Sequence, residues 1–267
     1  LVTARTDPAQ LLAELVGMPT HNPGGDELAL CRRLAELLDA RGADEVEVVA
    51  TGRKHGGPGG YVWARFGEPR ALLNAHLDTV PPNTGWSRDP FTAEISADAV
   101  VGLGACDIKG AIAAALVALE GSRPRDLGIL FSGDEERGAA CVHSFLASPR
   151  RAGIARAVIC EPTRRAVGVR HRGVRAYQAR FRGRGGHSSS ADHMPKPIVT
   201  MARLAVALDE QARRWLDRGP AEMRGLCTNV ARLDGGVAFN VVPDAAELLW
   251  SLRPPPGFDA AAFAAEL

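Results

Sequence analysis

Histidine and carboxylate side chains follow directly after apolar runs of this chain, where they could bind a divalent cation. The run ALLNAH (71–76) ends in His76, and Asp78 follows two residues later. Because side chains alternate along a strand, His76 and Asp78 point to the same side, so the carboxylate can orient the imidazole and fix its tautomer. A single histidine at a strand end is more often structural than a metal ligand.

Carboxylates recur at three further places. Asp107 lies in the glycine-rich segment GLGACDIKG, which opens a helix. Helix capping is the simpler interpretation there, and the segment does not match a phosphate-binding loop. Asp134, Glu135 and Glu136 follow an apolar strand, where they repel one another unless they share a cation or a proton; the alternative is a solvated loop. Glu161 ends the strand ARAVICE.

Four such positions, each offering imidazole or carboxylate, are harder to attribute to coincidence than any one of them. Hard oxygen ligands with imidazole, and without thiolate, suit a pair of zinc or similar divalent ions. The five cysteines are scattered and never spaced as CxxC. This spacing argues against a thiolate zinc site and against a disulfide framework.

The elements that must position these residues alternate between helix and strand over the first part of the chain. Such alternation implies an α/β layer structure with a largely buried sheet. The patterns predict helices at 7–19, 26–42, 109–121 and 137–147, and strands at 45–50, 61–66, 71–76, 98–102, 127–133 and 155–161.

The pattern changes after about residue 172. VRAYQARFRG alternates as a half-exposed strand does, a long helix follows at about 195–215, and then come the strands TNVARLDG and AELLWSLR and the start of a helix at FDAAAFAAEL. The order β-α-β-β-α is that of a split βαβ sandwich without its last strand. We therefore expect a catalytic, metal-binding domain at 1–172 and a second domain at 173–267, with the chain stopping inside a domain.

Composition excludes several classes of protein. The net charge is +1 and apolar residues make up 46%, so neither the charge nor the apolar content indicates nucleic acid or a membrane as a partner. Eight arginines between 164 and 184 lack the aromatic platforms of a nucleic-acid surface, apart from Tyr177 and Phe181, and a solvated face is the better interpretation. The first residues lack a basic-then-apolar signal pattern. The scattered cysteines are most simply explained by a reducing cytoplasm, so we expect a cytoplasmic protein.

Five motifs carry a resemblance to a known family. In order and spacing they resemble the motif series of the acetylornithine deacetylase and succinyl-diaminopimelate desuccinylase family of dinuclear zinc hydrolases. DGGVAFNVVP and RHRGV are most similar to the acetylornithine or acetylcitrulline deacetylase branch. The motifs are HLDTVP (76–81), GLGACDIKG (102–110), SGDEERG (132–138), EPT (161–163) and GRGGHSS (183–189).

The resemblance implies a fold and a set of metal ligands. The fold would be a zinc-exopeptidase-like catalytic domain with a central, mostly parallel sheet, plus an α+β, ferredoxin-like lid and dimerisation domain. His76 would bind one of two Zn²⁺ ions and Asp107 would bridge both, with a cis peptide to Ile108. Glu136 would bind the second ion and Glu161 the first; Co²⁺ can substitute in such sites. The family's remaining histidine ligand lies after the lid, so the C-terminal part of the catalytic domain is expected to be absent here.

The resemblance also implies roles in catalysis. Glu135 would be the general base and Asp78 the partner of His76. His187 would reach the active site of the partner subunit in a homodimer and stabilise the oxyanion. Asn240 and Arg253 would hold the substrate α-carboxylate, although Ser251 replaces the acid that usually precedes that arginine.

The activity implied is removal of the acetyl group from an N-acetyl amino acid, first of all N2-acetyl-L-ornithine in arginine biosynthesis. The alternatives are N-acetylcitrulline deacetylation, succinyl-diaminopimelate desuccinylation and a metallodipeptidase activity, which differ by a few pocket contacts. From a different class of protein, an inactive dimerising scaffold also fits the chain as it stands.

Overall fold

The computed structural model describes residues 6–266. These residues form two compact units that divide between Ala166 and Val167. We call them the N-terminal and the C-terminal unit. In the described part of the chain, no helix is both long and apolar enough to cross a membrane.

The N-terminal unit has the predicted alternation of helices and strands, with ends that differ by a few residues. Its helices are α1 (Pro8–Val16), α2 (Glu27–Asp39), α3 (Gly110–Leu119) and α4 (Ala140–Ala147). Its strands are β1 (Glu45–Gly52), β2 (Pro58–Gly67), β3 (Ala71–His76), β4 (Glu94–Ile95), β5 (Val100–Val101), β6 (Asp126–Ser132) and β7 (Arg156–Ile159).

The central sheet is mixed, so the prediction of a mostly parallel sheet is wrong. Its order is β1-β2-β6-β3-β7, in which β3 runs parallel to β6 and β7 whereas β2 is antiparallel to β1 and β6. Only a short turn joins β1 to β2, closed by a hydrogen bond from Arg53 N–H to the Gly57 carbonyl at 3.1 Å. A parallel pair needs a crossover of a dozen or more residues, so these two strands can pair only as a hairpin.

Strand β2 is buried on both faces and separates two apolar layers. Val62 packs in the cluster under α1, α2 and α3, and Trp63 packs with Phe145 of α4 on the opposite face. Burial of each such large apolar side chain stabilises the folded state by roughly 1.5–3 kcal/mol. Among residues 6–266, strand β7, by contrast, has a neighbour on one side only, and Val158 and Ile159 are exposed.

Parallel pairing brings the ends of three strands to one edge of the sheet. His76 is in register with Ser132, so the residues after β3 and β6 emerge side by side. Asn74 is in register with Ile159, and the carbonyl of Asn74 accepts the Cys160 N–H at 2.8 Å. Glu161 therefore follows at the same edge, where parallel sheets place their ligands.

The C-terminal unit has the predicted order β-α-β-β-α. Its elements are β8 (Arg175–Arg182), β9 (Gly186–His187), α5 (Pro197–Arg214), β10 (Cys227–Gly235), β11 (Val241–Val242), β12 (Ala245–Arg253) and α6 (Ala260–Ala265), of which β9 and β11 are short additional strands. Strands β8, β10 and β12 form an antiparallel sheet in the order β10-β12-β8, as in a split βαβ motif, and β9 pairs with β11. Met201 and Leu208 of the long helix α5 pack against Leu248 and Leu252 of the central strand β12.

Candidate metal centre and active site

His76 is buried at the end of β3, and one of its ring nitrogens faces the carboxylate of Asp107. Its Nδ1 lies 2.8 Å from the backbone carbonyl of Asp78, and its Nε2 lies 3.0 Å from Oδ1 of Asp107. A carbonyl can only accept, so Nδ1 carries the hydrogen and Nε2 of the neutral imidazole is an acceptor. Two acceptors at this distance require a proton or a cation between them.

Asp78 orients His76 through its main chain. The alternation of side chains predicted that the Asp78 carboxylate would orient the imidazole. Oδ1 of Asp78, however, lies 3.8 Å from Nδ1 of His76, beyond hydrogen-bonding distance. The carboxylate instead accepts the backbone N–H of Glu135 at 3.0 Å and that of Glu136 at 3.1 Å. Asp78 therefore ties the imidazole to the acidic loop that follows β6.

Three side chains form the candidate metal centre. Ligand atoms of His76, Asp107 and Glu136 all lie within 4.8 Å of one another. One imidazole nitrogen and two carboxylate oxygens are a donor set that suits zinc and similar divalent ions. The residues present therefore fit a divalent cation.

Asp107 reaches this centre from a tight turn before α3. The Asp107–Ile108 peptide is cis, as the resemblance implied. Lys109 fixes the turn: its buried ammonium donates to the carbonyls of Leu15 and Met18 at 2.9 and 2.8 Å. Burial lowers the pKa of Lys109 to about 8.

The electrostatics of the cluster also favour a cation. Burial lowers the pKa of His76, but the neighbouring carboxylates, Glu135 first, outweigh it and hold the pKa above its usual value. Burial raises the pKa of Glu136, and the charges of Glu135, Asp107 and Asp78 add to the rise against the opposing effect of His76. A positive ion among these groups would relieve their mutual repulsion.

Glu135 and Glu161 are both exposed, as is Asp107 of the three-residue cluster. Glu135 is half of the acidic pair held by Asp78, and its exposed side chain is open to solvent and substrate. Glu161 emerges at the same sheet edge but is outside the three-residue cluster. Its role as a ligand stays a prediction.

Sequence reasoning missed a buried polar network behind the acidic loop. Asn22 donates to both Asp78 and Asp134, and Glu27 accepts from the Asp134 N–H while it pairs with Arg53 at 2.8 Å. Asp134 stood out in the sequence only as one of three adjacent acids. Its full burial marks it as a structural group, and the only sequence signal for Asn22 was a polar loop before Pro23.

The remaining predicted residues lie in the C-terminal unit. His187 is exposed in β9, with Nδ1 2.9 Å from the Ser189 hydroxyl. Asn240 is its neighbour, because the Asn240 carbonyl accepts the Ser188 N–H at 3.0 Å just before β11. Arg253 is exposed at the end of β12.

One chain does not bring Asn240 and Arg253 together. Asn240 precedes β11, close to the start of β12, whereas Arg253 is the last residue of that strand. Strand β12 has nine residues, and at about 3.3 Å per residue its ends lie roughly 26 Å apart. A single small carboxylate cannot contact both side chains of one chain.

An imidazole and carboxylates that converge beyond the parallel strands of a mixed sheet are the arrangement of a metal-dependent hydrolase. The chain belongs to the peptidase family M20/M25/M40, whose family model matches residues 72–265.

Individual relatives refine this assignment. The chain is 37% identical over 227 residues to the N-acetyl-L-citrulline deacetylase of Xanthomonas campestris pv. campestris, covering 80% of this chain and 57% of that protein. It is 30% identical over 260 residues to the succinyl-diaminopimelate desuccinylase of Rhizorhabdus wittichii, covering 92% and 67%. The chain thus spans little more than half the length of the first of these relatives. The fold is similar to that of the di-peptidase Dug1p from Saccharomyces cerevisiae, with a TM-score of 0.77 at 16% identity over 97% of this chain and 71% of that one.

Proposed function

We propose that the protein hydrolyses the acyl amide bond of an N-acetyl amino acid, with N-acetylcitrulline and N2-acetylornithine as the candidate substrates. The convergence of His76, Asp107 and Glu136 beside the exposed carboxylate of Glu135 carries this proposal. The 37% identity to an N-acetyl-L-citrulline deacetylase favours a small N-acyl amino acid over a long peptide.

His76, Asp107 and Glu136 would hold a divalent cation, with Glu161 as a further ligand of a second one. We propose Zn²⁺ for both, with Co²⁺ as a substitute. Bound at this centre, such ions lower the pKa of water and polarise a carbonyl oxygen.

Glu135 moves the proton of the reaction. Its carboxylate accepts a proton from water as the water oxygen attacks the acyl carbon. When the C–N bond breaks, Glu135 returns this proton to the departing amine nitrogen. Acetate and a free α-amino acid are the products. The main-chain bond from Glu135 to Asp78 keeps the base at a fixed place while its side chain stays accessible.

The substrate carboxylate and the oxyanion would be held by residues of two chains. We propose a homodimer in which His187 and Asn240 act on the active site of the partner subunit and Arg253 on the site of its own. The length of β12 supports this division, because it separates Asn240 from Arg253 within one chain. Arginine suits the substrate because its planar group can bind a carboxylate with two hydrogen bonds.

Succinyl-diaminopimelate desuccinylation is the second candidate function, favoured by the 30% identity to a desuccinylase. A substrate panel on the full-length protein tests both: release of acetate from N-acetylcitrulline and N2-acetylornithine, and release of succinate from succinyl-diaminopimelate, each with Zn²⁺ or Co²⁺ added. We expect acetate release from an N-acetyl amino acid. Succinate release alone would support the second candidate, and a protein that binds metal but cleaves none of the three would overturn both.

A further inference from the structure

Asn22 lies between two buried carboxylates, and the mechanism above does not use it. Its Nδ2 is 3.2 Å from Oδ2 of Asp78 and 3.1 Å from Oδ1 of Asp134. Asn22 is 3% exposed, and both aspartates are 0% exposed. A side-chain amide has two hydrogens on one nitrogen, so one group can donate to each carboxylate without adding charge.

The segment that carries Asn22 is fixed independently of these two bonds. The backbone N–H of Asn22 donates to the Thr79 carbonyl at 2.9 Å, and the backbone N–H of Thr79 donates to the Thr20 carbonyl at 3.4 Å. Both bonds join the segment to the main chain that follows β3. The amide of Asn22 is therefore a rigid donor beside His76 rather than a side chain that adapts to its neighbours.

The two carboxylates that Asn22 bridges hold the acidic loop from both sides. Asp78 accepts the N–H groups of Glu135 and Glu136. Asp134 comes immediately before them, in a left-handed conformation with φ of 60°, and its Oδ2 accepts the N–H groups of Lys54 and Ala140 at 3.0 Å each. Displacing either aspartate moves the main chain of Glu135 and Glu136.

We propose that Asn22 is a positioning residue, which sets the place of the Glu135–Glu136 main chain through the two carboxylates that its amide bridges. Without it, Oδ1 of Asp134 loses its amide donor, and two buried negative groups lose the hydrogens between them. The Glu136 carboxylate then no longer meets the imidazole of His76 at the distance that a shared cation needs. The inference rests on the proposed function for the roles of Glu135 and Glu136.

Thr20 provides a matched control for loss of a buried hydrogen bond in the same segment. Thr20→Val keeps the side-chain volume and removes the bond to Leu77 without touching either aspartate. Asn22→Ala removes the bridge, and Asn22→Asp keeps the volume but replaces a donor by an acceptor. The three full-length variants are compared with the wild type for Co²⁺ affinity, the visible spectrum of bound Co²⁺, the unfolding temperature, and kcat and KM for the best substrate of the panel.

Loss of a group that orients metal ligands typically costs 10–100-fold in metal affinity or activity. We therefore expect both Asn22 variants to lose 10–100-fold in Co²⁺ affinity, with an altered Co²⁺ spectrum and a fall in kcat larger than any change in KM. Thr20→Val should lower the unfolding temperature and leave the other three readouts unchanged. Co²⁺ affinity is measured without substrate, so it decides the role of Asn22 even if the wild type hydrolyses nothing, which would overturn the proposed function alone. Wild-type Co²⁺ affinity and kcat in both Asn22 variants, or equal losses in Thr20→Val, would overturn the positioning role.

Discussion

The carboxylate of Asp78 accepts the backbone N–H of Glu136 at 3.1 Å, so a residue after β3 fixes the main chain of a candidate metal ligand after β6. The same carboxylate accepts the N–H of Glu135. Two N–H donors and the amide of Asn22 thus converge on one fully buried acid. A carboxylate has acceptor sites for all three donors.

Asp78→Asn should disrupt this arrangement, because the new amide directs hydrogens at groups that are themselves donors. We expect kcat to fall roughly 10–100-fold, as for other groups that orient metal ligands. Steady-state kinetics and Co²⁺ titration measure the effect. Asp98→Asn, at an exposed position, is the control and should change neither quantity. Wild-type kcat in Asp78→Asn would refute the role given to this acid.

Glu135→Gln and Glu136→Gln should separate proton transfer from metal binding. Loss of a general base typically costs roughly 10²–10⁴-fold in rate. Glu135→Gln should therefore lose turnover but still bind metal, whereas Glu136→Gln should lose turnover because it binds metal poorly. A metal that binds only the folded protein raises the free energy of unfolding by about 2.7 kcal/mol when its concentration is 100 times Kd. The unfolding temperature should therefore still rise with Zn²⁺ in Glu135→Gln, and rise much less in Glu136→Gln.

The exposed Glu68 supplies the comparison for this pair. Glu68→Gln should keep both the activity and the metal-induced rise. An active Glu135→Gln variant would disprove the assignment of the base, and an undiminished Zn²⁺ effect in Glu136→Gln would disprove the assignment of the ligand.

Glu27 should make stability depend on pH. Burial above all, and then the charge of Asp78, raises the pKa of Glu27 from 4.5 to about 7 although Arg53 opposes the rise. Between these values the folded state binds more protons than the unfolded state, so the free energy of unfolding contributed by Glu27 falls as pH rises from about 4.5 to 7. Below this range the contribution is fully present.

Glu27→Gln cannot titrate, so it removes this contribution. The free energy of unfolding of the wild type minus that of the variant should decrease between about pH 5 and pH 8, measured by urea denaturation with a chelator present. Glu68→Gln serves again as the exposed control and should show a constant difference. A difference that is flat, or that grows with pH, for Glu27→Gln would contradict the raised pKa.

Mixing two inactive variants should restore activity if His187 acts across a dimer. His187→Ala lacks the oxyanion donor and Glu135→Ala lacks the base. In a mixed dimer, one of the two active sites combines an intact Glu135 with an intact His187 from the other chain. Acetate release after the two variants are unfolded and refolded together, compared with each refolded alone, measures the effect. No gain on mixing would rule out the action of His187 across subunits.

Local sequence patterns predicted the helices and strands and the residue types of the site. Alternation along a strand and the change of residue type at its end are local properties, and they indicate imidazole and carboxylate groups at the ends of apolar strands. The resemblance of the motifs then implies His76, Asp107 and Glu136 as ligands. Their ligand atoms indeed lie within 4.8 Å of one another. The order β-α-β-β-α of the C-terminal unit followed from the same local patterns, because helix and strand periods differ.

Contacts between distant segments determine how these residues are held. The amide of Asn22 bonds to one residue 56 positions away and to another 112 positions away, and no local pattern reports a contact over such distances. The mixed sheet likewise depends on which strands pair, and the orientation of His76 by a carbonyl instead of a carboxylate depends on a rotation of Asp78 that its residue type leaves open. Residue type fixes which atoms can donate or accept, but packing of distant segments fixes which of them meet.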